Sequence, residues 1–425
     1  MAHTAEAEPI AAAHSTGEQE KLGRAFHIHL SSVATANLAD GIMVVGVPLI
    51  AVTLTRSPQE ISLISAFLWL PWLLFGVLAG VVVDRTDRRR IRMLGLGIRA
   101  LLLGVLALMA VTDQLSIWLL IAFMGVYGVT QVFVDLAGTS MIPQVAPRSR
   151  LATANSRVMA ADTVFQNFVG GPVASALVVL GTGWIFGIPA MLCLATLLLL
   201  ACGLRGSYRV EKQEKTTSLA DLKQGFQVMI RHRVLRPVIA MSAIANFAST
   251  AYFSVFILWV VGPGSAVGMP ERHFPLLLLA LALGAVTGSF CIDAMKRWVS
   301  EVPLMMWAWV VQFPVLVVPV IWPSVPAIAA ALFVTGFANM TGNVISATIR
   351  QKVVTKGMLG RIGGSASTLA YGLMPLGALT GGLVGEHVGL PAVFIGATAV
   401  MMLSLIYPLV TLSQRLVDQM EISER

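Results

Sequence analysis

Charge is what this chain has least of. Only 12% of its 425 residues are Asp, Glu, Lys or Arg, against roughly a quarter in soluble domains. So few charges cannot cover a soluble globular surface, and 56% of the residues are hydrophobic. Cysteine is scarce too. Cys193, Cys202 and Cys291 stand far apart in apolar runs, a pattern that suits small core residues and neither a disulfide frame nor a metal site. No His/Cys/Asp cluster has metal-ligand spacing and no Ser-His-acid arrangement can be placed, so neither a metal centre nor an enzyme is expected. No Gly-x-x-x-x-Gly-Lys-Ser/Thr loop occurs, which leaves an ion gradient, and no cofactor, as the energy source. Residues 1–20 carry Glu6, Glu8, Glu18 and Glu20 but lack the basic start and apolar core of a signal peptide. They are expected to form a disordered cytoplasmic tail.

What is present is long apolar runs. A membrane span needs roughly 20 apolar residues, and runs of that length fall at about 25–54, 59–83, 91–112, 116–142, 158–180, 185–204, 236–262, 274–295, 302–321, 326–349, 362–385 and 391–412. The expected fold is an all-α membrane protein with twelve transmembrane helices. An even count puts both termini on one side. The formal net charge of +8 would suggest nucleic acid in a soluble protein, but its placement explains it better. Of the 29 Lys and Arg, only Arg56 and Arg272 fall in loops at the opposite side, and only Arg99 lies well within a span. This is the positive-inside pattern of an inner, cytoplasmic membrane with both termini in the cytoplasm. It also suits an anionic inner leaflet. The expected partners are the bilayer and a small-molecule substrate, with no nucleic acid, and the protein is expected to be a monomer.

Residues 205–235 interrupt the pattern with Lys, Arg, Glu and Gln, while Leu219, Leu222, Phe226, Met229 and Ile230 recur at helical spacing. A surface amphipathic helix is expected there. It divides the chain into a bundle over 21–204, a linker over 205–235, a bundle over 236–412 and a tail over 413–425. The halves look like copies. Asn37 matches Asn246, Gly76 and Gly80 match Gly284 and Gly288, and Leu151 matches Leu359, each at an offset of 208 or 209. Asp40 is thereby paired with Ser249, which cannot titrate.

The sharpest motif runs from Gly76 to Arg92. Gly76 and Gly80 share a helix face and allow close backbone approach. Asp84 and Arg85 follow, and Arg85, Arg88, Arg89, Arg90 and Arg92 crowd into eight residues. This order resembles the loop between helices two and three of the major facilitator superfamily, with Asp87 where the family usually has glycine. Asp40-Gly41, Leu151–Ser156, Gly170-Gly171-Pro172 and Leu359-Gly360-Arg361 resemble the branch of macrolide-efflux and enterobactin-exporter-like permeases. The likeness spans about residues 24–412. It implies two pseudo-symmetric six-helix bundles and proton-coupled efflux of amphipathic drug-like or secondary-metabolite molecules by alternating access. An importer or a lipid- or siderophore-moving permease of the same fold is the alternative, and a transport-like sensor a more distant one. The Gly-Pro of span five partly matches the antiporter signature, but Ser175 stands where that signature has glycine.

Asp40 lies about midway along the first span. Burial disfavours the charged form of a carboxyl, so such an acid suits proton coupling; packing against Asn37, one turn away, is the structural alternative. Arg99 is read as a structural residue whose long side chain snorkels to the inner interface. His27 and His29 are read as solvated. The resemblance implies that Asp84 and Arg88 pair with Asp135 on helix four, and that Asp84 faces the start of helix eleven near Gly363–Ser365. With Gly76, Gly80, Arg85 and Arg89 these residues would form a cytoplasmic latch, and the stripe Gly377, Gly381 and Gly385 of span eleven would meet Gly76 and Gly80. In this fold helices one, four, seven and ten line the cavity. Asn37, Gln131, Asn246, Tyr252, Asn339 and Asn343 lie on them, and Gln166 lies on span five, as candidate substrate contacts. Gly171, Pro172 and Pro375 are candidate hinges, because proline removes a backbone hydrogen bond inside a helix.

Overall fold

The computed structural model describes residues 21–209, 227, 229–353 and 371–424. Those residues are almost wholly helical, and eleven of the helices are long and apolar enough to cross a membrane. The first half comprises α1 (Arg24–Leu54), α2 (Pro58–Arg85), α3 (Arg88–Val111), α4 (Ile117–Val145), α5 (Leu151–Thr163), α6 (Gly170–Leu180) and α7 (Thr182–Gly203). The second comprises α8 (Leu235–Val260), α9 (Phe274–Met295), α10 (Glu301–Val315), α11 (Val318–Ile321), α12 (Val325–Val353), α13 (Met374–His387), α14 (Leu390–Ser404), α15 (Ile406–Thr411) and α16 (Gln414–Glu424). The expected span 362–385 is described only from residue 371. The expected tail 1–20, most of the amphipathic stretch 205–235 and Gly363–Ser365 lie outside the described residues.

Local chemistry sets the helix ends. Ser57 Oγ accepts from the Glu60 N–H at 3.3 Å, with Pro58 behind it, and Ser116 Oγ accepts from the Leu119 N–H at 3.3 Å. Asp87, the departure from the family pattern, caps α3: its Oδ1 accepts from the Arg89 and Arg90 N–H groups at 3.0 and 3.3 Å. A carboxylate there faces the positive end of the helix dipole as well as two otherwise unpaired donors. The turn thus keeps its sharpness without the glycine.

Span five is not one regular helix. Between α5 and α6, Val164–Val169 form a π-helical turn. Pro172 explains it, since its ring cannot sit over the carbonyl four residues back and it has no N–H to offer; the helix widens just before it. At this place Gly170 crosses Gly41 of α1, and a methyl at Gly41 would stand 2.9 Å from the Gln166 Cα. The Asp40-Gly41 pair is therefore clamped against span five by backbone contact. Pro375 also falls at a break: Tyr371 and Gly372 are helical, Leu373 is a turn, and α13 starts at Met374 with Pro375 in its first turn.

The two halves repeat a packing scheme. α2 packs on α4 as α9 packs on α12, and α3 on α7 as α10 on α14. Glycine lets backbones touch at equivalent crossings: Gly128 against the Leu68 carbonyl in the first half, Gly284 and Gly288 against the Phe333 and Phe337 carbonyls in the second. The tail expected over 413–425 contains a helix, α16. Ser413 Oγ accepts from the Leu416 N–H, Gln414 Oε1 accepts from the Val302 N–H at 2.9 Å, and Val417 is fully buried. One apolar face, docked on the start of α10, orders this segment.

Candidate functional site

Asp40 comes from the middle of α1, where it is 5% exposed. Arg99 of α3 reaches it with Nη1, 3.1 Å from Oδ1 and 3.4 Å from Oδ2. The Tyr127 hydroxyl of α4 donates to Asp40 Oδ1. Arg99 Nε donates to Thr130 Oγ1 at 3.1 Å, Thr130 in turn donates to the Tyr127 carbonyl at 2.6 Å, and the guanidinium carbon lies 4.4 Å from the Tyr127 ring centre. Three helices thus meet at one charge pair. Arg99 is 0% exposed, which corrects the snorkelling expectation: the side chain points inward because an acid waits there. Asn37 is not the partner of Asp40; its Nδ2 returns to the Val33 carbonyl of its own helix at 3.0 Å.

Below this pair lies a second one. Arg92, two turns before Arg99 on the same face of α3, places Nη1 3.2 Å from His29 Nδ1. Both are buried, so His29 is not solvated as expected, whereas His27 is exposed. His29 and Asp40 are eleven residues apart, and three helical turns bring them to one face of α1.

The basic hairpin is tied into the first half. Arg88 pairs with Asp84 at 3.3 Å and donates to the Ser140 carbonyl at 2.5 Å, rather than to Asp135. Ser140 follows Asp135 by more than a turn, closer to the hairpin, so a short reach is satisfied first. Arg89 donates to the Leu200 and Ala201 carbonyls at 3.0 and 2.9 Å, in the last turn of α7 at the negative end of its dipole. Arg85 is exposed. Gly76 and Gly80 have nothing within 4 Å of where a methyl would stand. The glycine stripe of α13 meets other partners: Gly377 and Gly381 lie on the Phe247 and Ala251 carbonyls of α8, and Gly385 lies on Pro58 at the far end of α2.

At that far end the halves are bonded together. Ser57 Oγ donates to Glu386 Oε2 at 2.7 Å, and Arg56 Nη1 donates to the Val261 carbonyl at 2.7 Å. Trp69 and Trp72 of α2 hold the Tyr371 ring, with centres 5.9 and 5.8 Å apart.

Two lobes of about 380 and 490 Å³ lie between the halves and a third of about 120 Å³ lies within the second half, and Ser249 and Phe253 of α8 border all three. Asp40, Tyr127, Gln131 and Gln166 line the first, among Met43, Leu68, Trp69 and Met124. Gln166, Gly171, Pro172 and Asn339 line the second. Asn246, Asn339 and Asn343 line the third. Asn37 and Tyr252 border none of these lobes. Tyr252 is 0% exposed, donates to the Leu316 carbonyl at 3.0 Å and packs among Phe253, Phe256 and Phe394. Its neighbours Ser249 and Phe253 occupy the cavity-facing side of α8 instead. The sequence reading passed over Tyr127, Gln312 and Thr335, all on cavity walls. Tyr127 stands one turn before Gln131 on a helix expected to line the cavity, and that spacing was the available signal.

Two helical halves around a cavity with an acid in its wall define a secondary active membrane transporter. The chain belongs to the Major Facilitator Superfamily, whose family model matches residues 30–375. It is 25% identical over 395 residues to the multidrug efflux pump Tap of Mycolicibacterium fortuitum, covering 88% of this chain and 92% of that pump. It is 24% identical over 396 residues to the pump of the same name from Mycobacterium tuberculosis (strain ATCC 25618 / H37Rv), covering 88% and 90%. Among solved structures it is similar to a point mutant of the nucleoside transporter NupG, with a TM-score of 0.71 at 14% identity over 92% of this chain and 100% of that one. It is also similar to a bacterial homologue of the human lysosomal transporter Spinster in an inward-facing, occupied conformation, with a TM-score of 0.69 at 15% identity over 96% and 99%. At those identities the structures speak for the fold alone.

Proposed function

We propose that this transporter exports amphipathic small molecules from the cytoplasm in exchange for protons, and that Asp40 carries the proton. The observation that carries this reading is a carboxylate on the cavity wall that is also bonded to a buried arginine and a tyrosine hydroxyl. Among the described residues Asp40 is the one carboxylate lining the three lobes. In this reading proton and cargo meet in one lobe, which couples their binding directly. The mostly apolar wall with methionine and aromatic side chains suits varied apolar bodies. The name of the Tap pumps supports drug efflux as the activity.

In this reading the basic end is cytoplasmic and the end bonded through Ser57–Glu386 and Arg56–Val261 is the outer one, so that the present arrangement is closed to the outside. Membrane vesicles turned inside out test the whole proposal. An inside-acid gradient should drive uphill uptake of ethidium or chloramphenicol, and a protonophore should abolish it. Uptake under the reverse gradient instead, or none for any compound of a drug panel, would overturn it. The hairpin is read as the latch of the alternate, outward-facing state, with Asp84 bonding the second half there. Asp84→Asn should then slow turnover by at least tenfold with normal insertion, measured as initial uptake rate per pump; an unchanged rate would remove Asp84 from that role.

A further inference from the structure

The smallest lobe is the most polar of the three, and Gln312, Thr335 and Asn339 stand where it opens into the 490 Å³ lobe, whose wall they share. The smallest, about 120 Å³, is bordered by α8, α10, α12 and Met401 of α14 and, among the described residues, has no charged one on its wall. It has amides instead. Gln312 of α10 is 7% exposed, and its Oε1 is buried without a partner. Asn339 and Asn343 of α12 are one turn apart and exposed to the cavity, where Asn343 Nδ2 donates to Asn339 Oδ1 at 2.9 Å. That bond leaves the Asn339 NH₂ and the Asn343 carbonyl facing the same space. A half-turn about the last torsion of Gln312 exchanges which end of its amide faces the lobe. With that oxygen turned into the lobe, a ligand donor would supply the partner that Gln312 Oε1 now lacks. Amides without a countercharge do not offset the full desolvation of an ion, and an apolar group would leave the amides unpaired. The volume of about 120 Å³ is the smallest of the three and has room for a small head group.

We propose that this lobe is a subsite for a neutral, hydrogen-bonding head group, hydroxyl or amide, of a substrate whose apolar body fills the two larger lobes. This rests on the reading of the cavity as the substrate site, and it names the substrate class: neutral-headed amphiphiles, selected by their donors rather than by charge. It places Gln312 and Asn339 as specificity-determining residues.

Equilibrium binding to the purified full-length protein in nanodiscs, without any gradient, tests it. Three probes suffice: chloramphenicol, with an amide and two hydroxyls; its diacetate, with the hydroxyls blocked; and tetraphenylphosphonium, which has no donor. Wild type should bind chloramphenicol about tenfold more tightly than the diacetate, the effect of one or two hydrogen bonds. Gln312→Leu should erase that preference and leave tetraphenylphosphonium affinity within about twofold. The tetraphenylphosphonium result also reports that the variant is folded. Should Gln312→Leu lose that probe too, the shape-keeping Gln312→Met and Asn339→Ala carry the comparison. A wild type with no preference for chloramphenicol, whether or not it binds either form, overturns the proposal, as does a preference that survives in the variants. Because no gradient is present, a pump that does not couple to protons would still show the preference, and a coupled pump could lack it.

Discussion

Arg99→Leu should destabilise the protein by about 3–5 kcal/mol, the usual result of removing one partner of a buried ion pair. The side chain of Arg99 is 0% exposed and that of Asp40 7%. Without the guanidinium, the Asp40 carboxylate would keep the Tyr127 hydroxyl and lose its countercharge, in a place where water reaches it only through the cavity. Leucine fills part of the volume but can return none of the charge. Adding Asp40→Asn should restore much of the loss, because a neutral amide no longer needs a cation. The stability of the double variant should therefore exceed that of Arg99→Leu alone, and the non-additivity should fall in the range of about 0.5–3 kcal/mol seen for residues in contact. Thermal or denaturant unfolding of the detergent-purified proteins, followed by tryptophan fluorescence, measures this. An Arg99→Leu protein as stable as wild type would show that the pair is not a stabilising contact of the folded state.

That pair also shows what a sequence can and cannot convey about this fold. The apolar runs and the distribution of Lys and Arg were enough to read a helical membrane protein, and the matched offsets and the hairpin motif were enough to reach the superfamily. Asp40 was legible as well, since a carboxylate in mid-span is rare for energetic reasons. Its partner was not. Arg99 stands far from Asp40 in sequence, and its linear depth in α3 fits a snorkelling chain as well as a buried one. What decides between them is which face of α3 turns to α1, and that depends on how the two helices are rotated. A signal was nevertheless present. Arg92 and Arg99 are seven residues apart and share one face of α3, while His29 and Asp40 share one face of α1. Two polar columns on two apolar helices ask to be paired. The hydrogen bonds of small and amide side chains were less legible. Asn37 bonds its own helix, Asn343 bonds Asn339, and Gln312 lines the cavity, although composition treats all of them alike. The glycine stripe of span eleven was visible as well; in this arrangement Gly377 and Gly381 meet α8 and Gly385 meets α2, and a stripe of small residues indicates that a helix is approached without indicating by which one.

Asp40→Asn should abolish uphill transport, with accumulation of ethidium or chloramphenicol in inside-acid vesicles falling to the level of vesicles without the protein. The reason lies in the same charge pair. When Asp40 takes a proton, Arg99 loses its countercharge while still buried, and its Nη2 already has no partner. A lone buried cation is unfavourable, so protonation raises the free energy of this arrangement and favours one in which Arg99 gains water or another acid. In the proposed exchange, cargo in this lobe lies against the same carboxylate, so its binding and that of the proton are coupled through one charge pair. Asparagine keeps an oxygen for the Arg99 and Tyr127 donors but cannot exchange a proton, which fixes the site in a single charge state. The variant should therefore still bind substrate and still permit downhill exchange, and the pH dependence of wild-type exchange should flatten. A ligand shifts a two-state equilibrium only through its difference in affinity for the two states, and with the titrating group removed the proton has no such difference left at this site. Uphill accumulation by Asp40→Asn equal to that of wild type at several pH values would require another acid to do the coupling. Asp135, which lines none of the described lobes, would then be the next to substitute.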